Sequence, residues 1–199
     1  MKIFIISAVI FISVCGVFAQ EKTFSASEVA ARFQSGKDIS IENARIIGDL
    51  DLTNFPNQIN DAVYREKGKT AKVFSSIFAQ NVSFKNVKFA GNVIFFRKEE
   101  NEKEIFEYRI QFKNTVKFEN CTFEKDVNFE LTNFDNGVSF AGSVFKQKPL
   151  FIRIGLEKSA DFTGTVFEQK AVFQFTQNSG QKTLSAAELQ ELFDKLKGH

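Results

Sequence analysis

The sequence predicts an all-β solenoid, and three observations carry that prediction. Between Val116 and Phe173 one pattern returns every eleven positions, with Phe118, Phe129, Phe140, Phe151, Phe162 and Phe173 in register. A second series, Phe123, Phe134, Phe145, Leu156 and Phe167, divides each interval into steps of five and six. Phe is also the outlier of the composition, 26 residues against 2 Tyr, 1 Met and no Trp, as if one kind of interior niche were filled repeatedly. A short fixed period of this kind builds stacked units, each burying its apolar face against the next. The 199 residues, 43% of them hydrophobic, suffice for a single domain with one core.

Taken in order, the chain opens with Met1-Lys2, an apolar run from Ile3 to Phe18, and Ala19 before the polar Gln20-Glu21-Lys22. This reads as a signal peptide over 1–19, with Val17-Phe18-Ala19 as the cleavage site, so the protein is expected to be exported to the periplasm or beyond. Two alternatives stay open. One is a membrane anchor, although the run falls short of the ~20 apolar residues that span a bilayer. The other is lipoprotein anchoring at Cys15, where Val14 departs from the small residue usual before such a cysteine. After cleavage no integral membrane segment is expected, and Cys121 is left as the single cysteine, unable to form an internal disulfide.

Residues 20–37 form an N-terminal cap with a short helix at 26–34: Ser25 is a serine N-cap with Glu28 three positions later and apolar Phe24 and Val29 placed for a staple. The repeat itself spans 38–176. Ile41, Ile46 and Leu52 show the five-six spacing, with Ile39, Ala44 and Leu50 two positions ahead of them, and Val73, Phe78, Phe84, Phe89 and Phe95 resume it. Residues two apart in an extended segment share a face, so each Phe and the small residue before it point inward together. Two segments break the pattern. Residues 54–72, with Pro56, Gly68 and mixed charges, read as a loop. Residues 97–105 replace core positions with the charged run from Arg97 to Glu104 and are expected to protrude as a loop or hairpin. At 183–199 a second serine-capped segment predicts an amphipathic helix over about 186–196.

Aligned at its period, the central stretch reads VKFENCTFEKD, VNFELTNFDNG, VSFAGSVFKQK, PLFIRIGLEKS and ADFTGTVFEQK. This resembles the pentapeptide-repeat family over most of residues 39–175. The resemblance implies a right-handed β-helix of four flat faces per coil, here of about five coils with short terminal capping helices. The alternation of five and six implies about 22 residues per coil where strict fives would give 20, and Phe stands at nearly every central position where Leu is as common in the family.

Chemistry is sparse in this pattern. Glu119, Glu124, Glu130 and Asp135 follow successive Phe residues but leave a four-faced coil in different directions, so they cannot act together on a proton or a metal. Residues 22 apart share a column, which predicts weak pairing of Glu124, Lys146 and Glu168 down one face and leaves Asp135 over Glu157 as a poor candidate for a cation. Cys121 sits at an inward position and reads as an inert core thiol. The single histidine is His199, so no Ser-His or Cys-His pair is available, and no phosphate loop, cofactor site or metal site is called for. Signal removal takes Lys2 from the 26 basic residues and nothing from the 24 acidic ones, which leaves a near-neutral chain and no nucleic-acid partner to expect.

The surface offers one candidate. Val144 and Val166 in one column, Leu150 and Val172 in the next, with Ile152 nearby, form an apolar patch that calls for a cover. The C-terminal helix offers Leu189, Leu192, Phe193 and Leu196 at helical spacing, either within the chain or from a second copy as a homodimer. The expected function is therefore an exported, non-catalytic structural or protein-binding module of unknown partner. The alternatives are a DNA mimic that protects topoisomerases, which the family resemblance implies and charge and export disfavour, and an extracytoplasmic polysaccharide-acting β-helix enzyme.

Overall fold

Five-plus-six spacing takes the chain around four corners per coil, and the described residues make four full coils and three faces of a fifth. The structure, a computed structural model, describes residues 21–56, 58–158, 160–174, 182–184 and 187–191. The segment read as a signal peptide lies outside the described residues. Strand β1 (Lys22–Ser25) and helix α1 (Ala26–Gln34) come first. The first coil holds β2 (Ile39–Ile47), β3 (Leu50–Asp51), β4 (Ile59–Glu66) and β5 (Lys69–Phe78). The second holds β6 (Val82–Phe89), β7 (Val93–Ile94), β8 (Arg97–Glu100) and β9 (Glu104–Phe112). The third holds β10 (Val116–Glu119), β11 (Thr122–Phe123), β12 (Val127–Asn128) and β13 (Asn133–Phe134). The fourth holds β14 (Val138–Ser139), β15 (Val144–Phe145), β16 (Leu150–Ile152) and β17 (Gly155–Leu156), and the fifth β18 (Ala160–Asp161), β19 (Val166–Phe167) and β20 (Ala171–Gln174). β21 (Lys182–Leu184) closes the order.

Coils stack by parallel pairing, so each face is a column of strands one above another. On the first face Ile41 pairs with Phe84 and Phe84 with Phe118. On the second, Phe89, Phe123, Phe145 and Phe167 follow in register. Strands of two residues suffice because their side chains do the cohesive work. Phe118 and Phe140 stack with centroids 5.4 Å apart, Phe123 and Phe145 at 4.4 Å, and Phe112 and Phe134 at 5.5 Å, close to the ~4.8 Å spacing of paired strands. The central Phe of every face from Phe84 to Phe151 is essentially without exposure, and the smaller Val116, Cys121 and Val127 beside them are equally buried. This is the two-residue facing rule as the sequence implies it.

Corners need residues that tolerate positive φ. The corner between the first two faces has Asn43, Asn86 and Asn120 at φ 52°, 54° and 52°, then Gly142 and Gly164 at 67°. Asn86 donates from Nδ2 to Asn43 Oδ1 at 2.9 Å, whereas a Cβ on Gly142 would lie 2.1 Å from Asn120 Oδ1 as that side chain is placed, so glycine fits there.

The ends are closed. α1 spans the residues expected of it, and its capping box is complete: the Glu28 amide donates to Ser25 Oγ at 3.2 Å and the Ser25 amide to Glu28 Oε2 at 2.6 Å. Val29 and Phe33 are buried on the first coil, with Phe33 against Phe78 at 5.0 Å. β1 was not foreseen. It pairs with Ala44 to Ile47 and covers the first edge of the second face. At the far end β21 runs antiparallel to β20, which the helical reading of 183–199 did not include, and residues 187–191 are helical. The remainder of the expected helix lies outside the described residues.

One reading is corrected. Residues 54–72 are no simple loop: β4 and β5 form an antiparallel hairpin around Lys67 and Gly68, both with positive φ (51° and 81°). Val73 accordingly belongs to this hairpin and is buried outside the solenoid core, although its distance from Phe78 fits the repeat.

Candidate interaction surface

Regular coils advance by 22 residues, as Phe118 to Phe140 does, but Ile41 pairs with Phe84 and Phe84 with Phe118, so the first two coils carry surplus chain. Both surpluses leave at the same corner, after the third face. Coil stacking then places one hairpin on the other. β5 and β9 pair in parallel from Thr70↔Glu104 to Phe78↔Phe112, and β8 pairs antiparallel with β9, giving a four-stranded wing in the order β4-β5-β9-β8. The charged run at 97–105 is thus the hairpin edge of this wing. Its turn is held by Asn101 Oδ1, which accepts from the amides of Lys103 at 2.9 Å and Glu104 at 2.8 Å.

One side of the wing carries a polar network over an apolar floor of Ala71, Val73 and Ile105, all without exposure. Glu107, only 2% exposed, accepts from Tyr64 Oη at 2.8 Å and from Arg109, and lies 3.6 Å from Lys98 Nζ. Lys98 bonds both carboxylate oxygens of Glu66. Burial alone would raise the Glu107 carboxyl; hydrogen bonds from Arg109 and Tyr64, with the charge of Lys98, outweigh it and hold the group below its ordinary range. Tyr64 moves the other way, pushed up to about 12 by burial and by its bond to the Glu107 carboxylate.

Between this side and the corner of later coils lies a groove of about 580 Å³, lined by Tyr64, Lys98 and Arg109 of the wing and Glu130, Ile152 and Arg153 of the solenoid. Arg153 reaches Glu130 at 3.2 Å. Cations and carboxylates alternate around the groove, and each has a partner, so it suits a ligand that offers both charges in exchange. Of these residues the surface reading named Ile152 alone and missed the rest. Their signal was the pair of insertions, since per-coil insertions in a solenoid collect on one side.

The apolar patch is only partly assembled. Val144 pairs with Val166 and Leu150 with Val172, as the columns require, and Val166 is 49% exposed while the other three are half-buried. Ile152 is nearly buried and faces the charged groove instead. Leu189 is fully buried in the core cluster, and the neighbouring Gln190 Oε1 accepts the Phe162 amide at 2.7 Å, so this helical turn caps the last coil. Leu192, Phe193 and Leu196 lie outside the described residues.

The charge columns are also rearranged. Glu124 is taken by Arg45, two coils away, through bonds of 3.0 and 2.8 Å. Asp135 accepts from Lys113 at 2.9 Å and from Gln111, partners that hold its carboxyl low against the effect of burial. Among the described residues no group of three metal-ligating side chains occurs, and no helix is long and apolar enough to cross a membrane.

No curated protein and no solved structure matches the chain. The family model for pentapeptide repeats (9 copies) matches residues 108–147, a stretch from the end of the wing through the first two faces of the fourth coil. That repeat occupies four faces of parallel, Phe-centred columns, so residues 108–147 are pentapeptide repeats within a β-helix solenoid.

Proposed function

We propose that the protein is an exported, non-catalytic binding module whose wing and adjoining groove receive a polypeptide partner. The carrying observation is the convergence of both departures from the repeat on one corner, where they build one rigid sheet and one charged groove. Elsewhere the repeat commits its residues to packing. A polypeptide supplies both signs of charge, as the alternating Glu66, Lys98, Glu107 and Arg109 set demands, and near-neutral overall charge argues against a polyanion. The basic start, apolar run and small residue of 1–19 support export.

The test begins with affinity capture from the envelope fraction of the native host, using the wild-type chain and Arg153→Glu. Binding of the purified captured protein is then titrated against both. A partner that binds wild type at least about tenfold more tightly supports the groove. Equal binding by the two overturns it.

A further inference from the structure

The wing ends in an open edge. Several other sheet edges are dressed: β1 covers the second face of the first coil, β21 covers β20, and Gln190 meets the Phe162 amide. The opposite wing edge, β8, is four charged residues, Arg97-Lys98-Glu99-Glu100. β4 is different. It is eight residues long, pairs among the described residues only with β5, and is exposed from Ile59 to Arg65, with Ile59 at 47% and Val63 at 59% exposure.

Hairpin geometry fixes which of its backbone groups are free. In a two-residue turn the flanking pair, Glu66↔Lys69, exchanges hydrogen bonds, and the exchange alternates along the strand. Tyr64 and Ala62 therefore bond inward to β5, while Arg65 and Val63 turn their N–H and C=O outward. An antiparallel neighbour must pair with those outward residues. If the neighbour is another β4, a two-fold axis through Val63 pairs Val63 with Val63 and, twice by symmetry, sets Arg65 opposite Asp61, the bulge residue, whose carboxylate also accepts from Ser75 Oγ at 3.1 Å. The strand is thus complementary in charge to itself in the one register that its free backbone groups favour. The bulge between Asn60 and Ala62 limits the pairing to about five residues, so the contact is small and reversible.

We propose that β4 is a self-association edge through which two copies join their wings into one continuous eight-stranded sheet. The edge adjoins the charged groove, which Tyr64 and Glu66 of β4 help to line, but it uses the outward backbone of Val63 and Arg65, so either reading stands if the other fails. Sedimentation velocity of the full chain over a range of concentrations gives the test, with a monomer–dimer equilibrium as the expected result. Val63→Pro removes an outward N–H only, so it leaves the β4–β5 ladder and the melting temperature nearly intact and abolishes the dimer. Arg65→Asp weakens dimerisation about tenfold, and adding Asp61→Arg restores it by recreating the pairs in reverse. A chain that stays monomeric at every concentration, a Val63→Pro variant that still dimerises, or a double charge swap that fails to recover overturns the proposal.

Discussion

Cys121, Ser143 and Thr165 stand one above another on the second face, and each turns its side chain to the carbonyl of the first-face Phe one coil earlier. Cys121 Sγ lies 3.4 Å from Phe84 O, Ser143 Oγ donates to Phe118 O at 2.7 Å, and Thr165 Oγ1 donates to Phe140 O at 2.8 Å. The cysteine is therefore a rung in a ladder of donors, and burial pushes its thiol up to about 12, far from any nucleophilic role. Cys121→Ser keeps the rung and is expected to melt within a few degrees of wild type, whereas Cys121→Val strands a carbonyl and costs about 1–3 kcal/mol in urea unfolding. The central Phe residues carry more. Phe129, ringed by Phe95, Phe118, Phe134, Phe140 and Phe151, is expected to cost about 3–5 kcal/mol on truncation to Ala, against nearly nothing for the outward Lys117→Ala. Asn128 is outward too, but its Oδ1 accepts the Glu130 amide at 2.9 Å, so its loss falls between the two.

At the scale of elements, what could be read from sequence followed the source of each element's stability. α1 was legible to the residue because Ser25 and Glu28 write its start locally, and the inward set was legible because burial recurs at fixed intervals. The wing was half legible. Lys67-Gly68 between alternating Val63-Tyr64-Arg65 and Ala71-Lys72-Val73 is a hairpin signal, but Pro56 and the charges masked it, and Val73 happened to fall on the repeat spacing. The contacts of the groove could not be read, although the two insertions marked its side of the solenoid. Tyr64 meets Glu107 across 43 positions, a contact set by which coil lies above which. The capping role of Gln190 depends on Phe162 in the same way. Tyr64 reports on the wing directly. With Tyr108→Phe as background, its absorbance at about 295 nm should change only near pH 12, since the neutral phenol is favoured by the fold. By linkage this stabilisation is complete below the unfolded value near 10 and disappears as pH rises through 12, so ionisation at the unfolded value would mean that the wing is open.

For the whole molecule, stability is a sum over neighbouring coils, and the longest ladders lie at one end. β2 with β6 and β5 with β9 join the first two coils over many residues, while later coils meet through strands of two or three. The carboxylates of Glu28, Asp38, Glu100, Glu107, Glu124 and Asp135 are all held below their ordinary values. A depressed carboxyl contributes stability above its unfolded value and loses it as pH falls through the folded one. The melting temperature should therefore fall as pH drops from 6 through the carboxylate range, and Arg45→Ala should blunt the part that Glu124 supplies. An unchanged melting temperature down to about pH 3 would show that these pairs do not bear on folding.

The coil-to-coil hydrogen bonds point along the stack, and the first and last described strands lie at its two ends. A pull on those ends therefore loads the bonds one rung at a time, like a zip, instead of shearing many at once. The final three coils, joined by short strands, would peel away in sequence, each release paying out about 22 residues of chain. The first two coils, clamped by the wing, would hold last. A tug that strips the far end would still leave the wing folded.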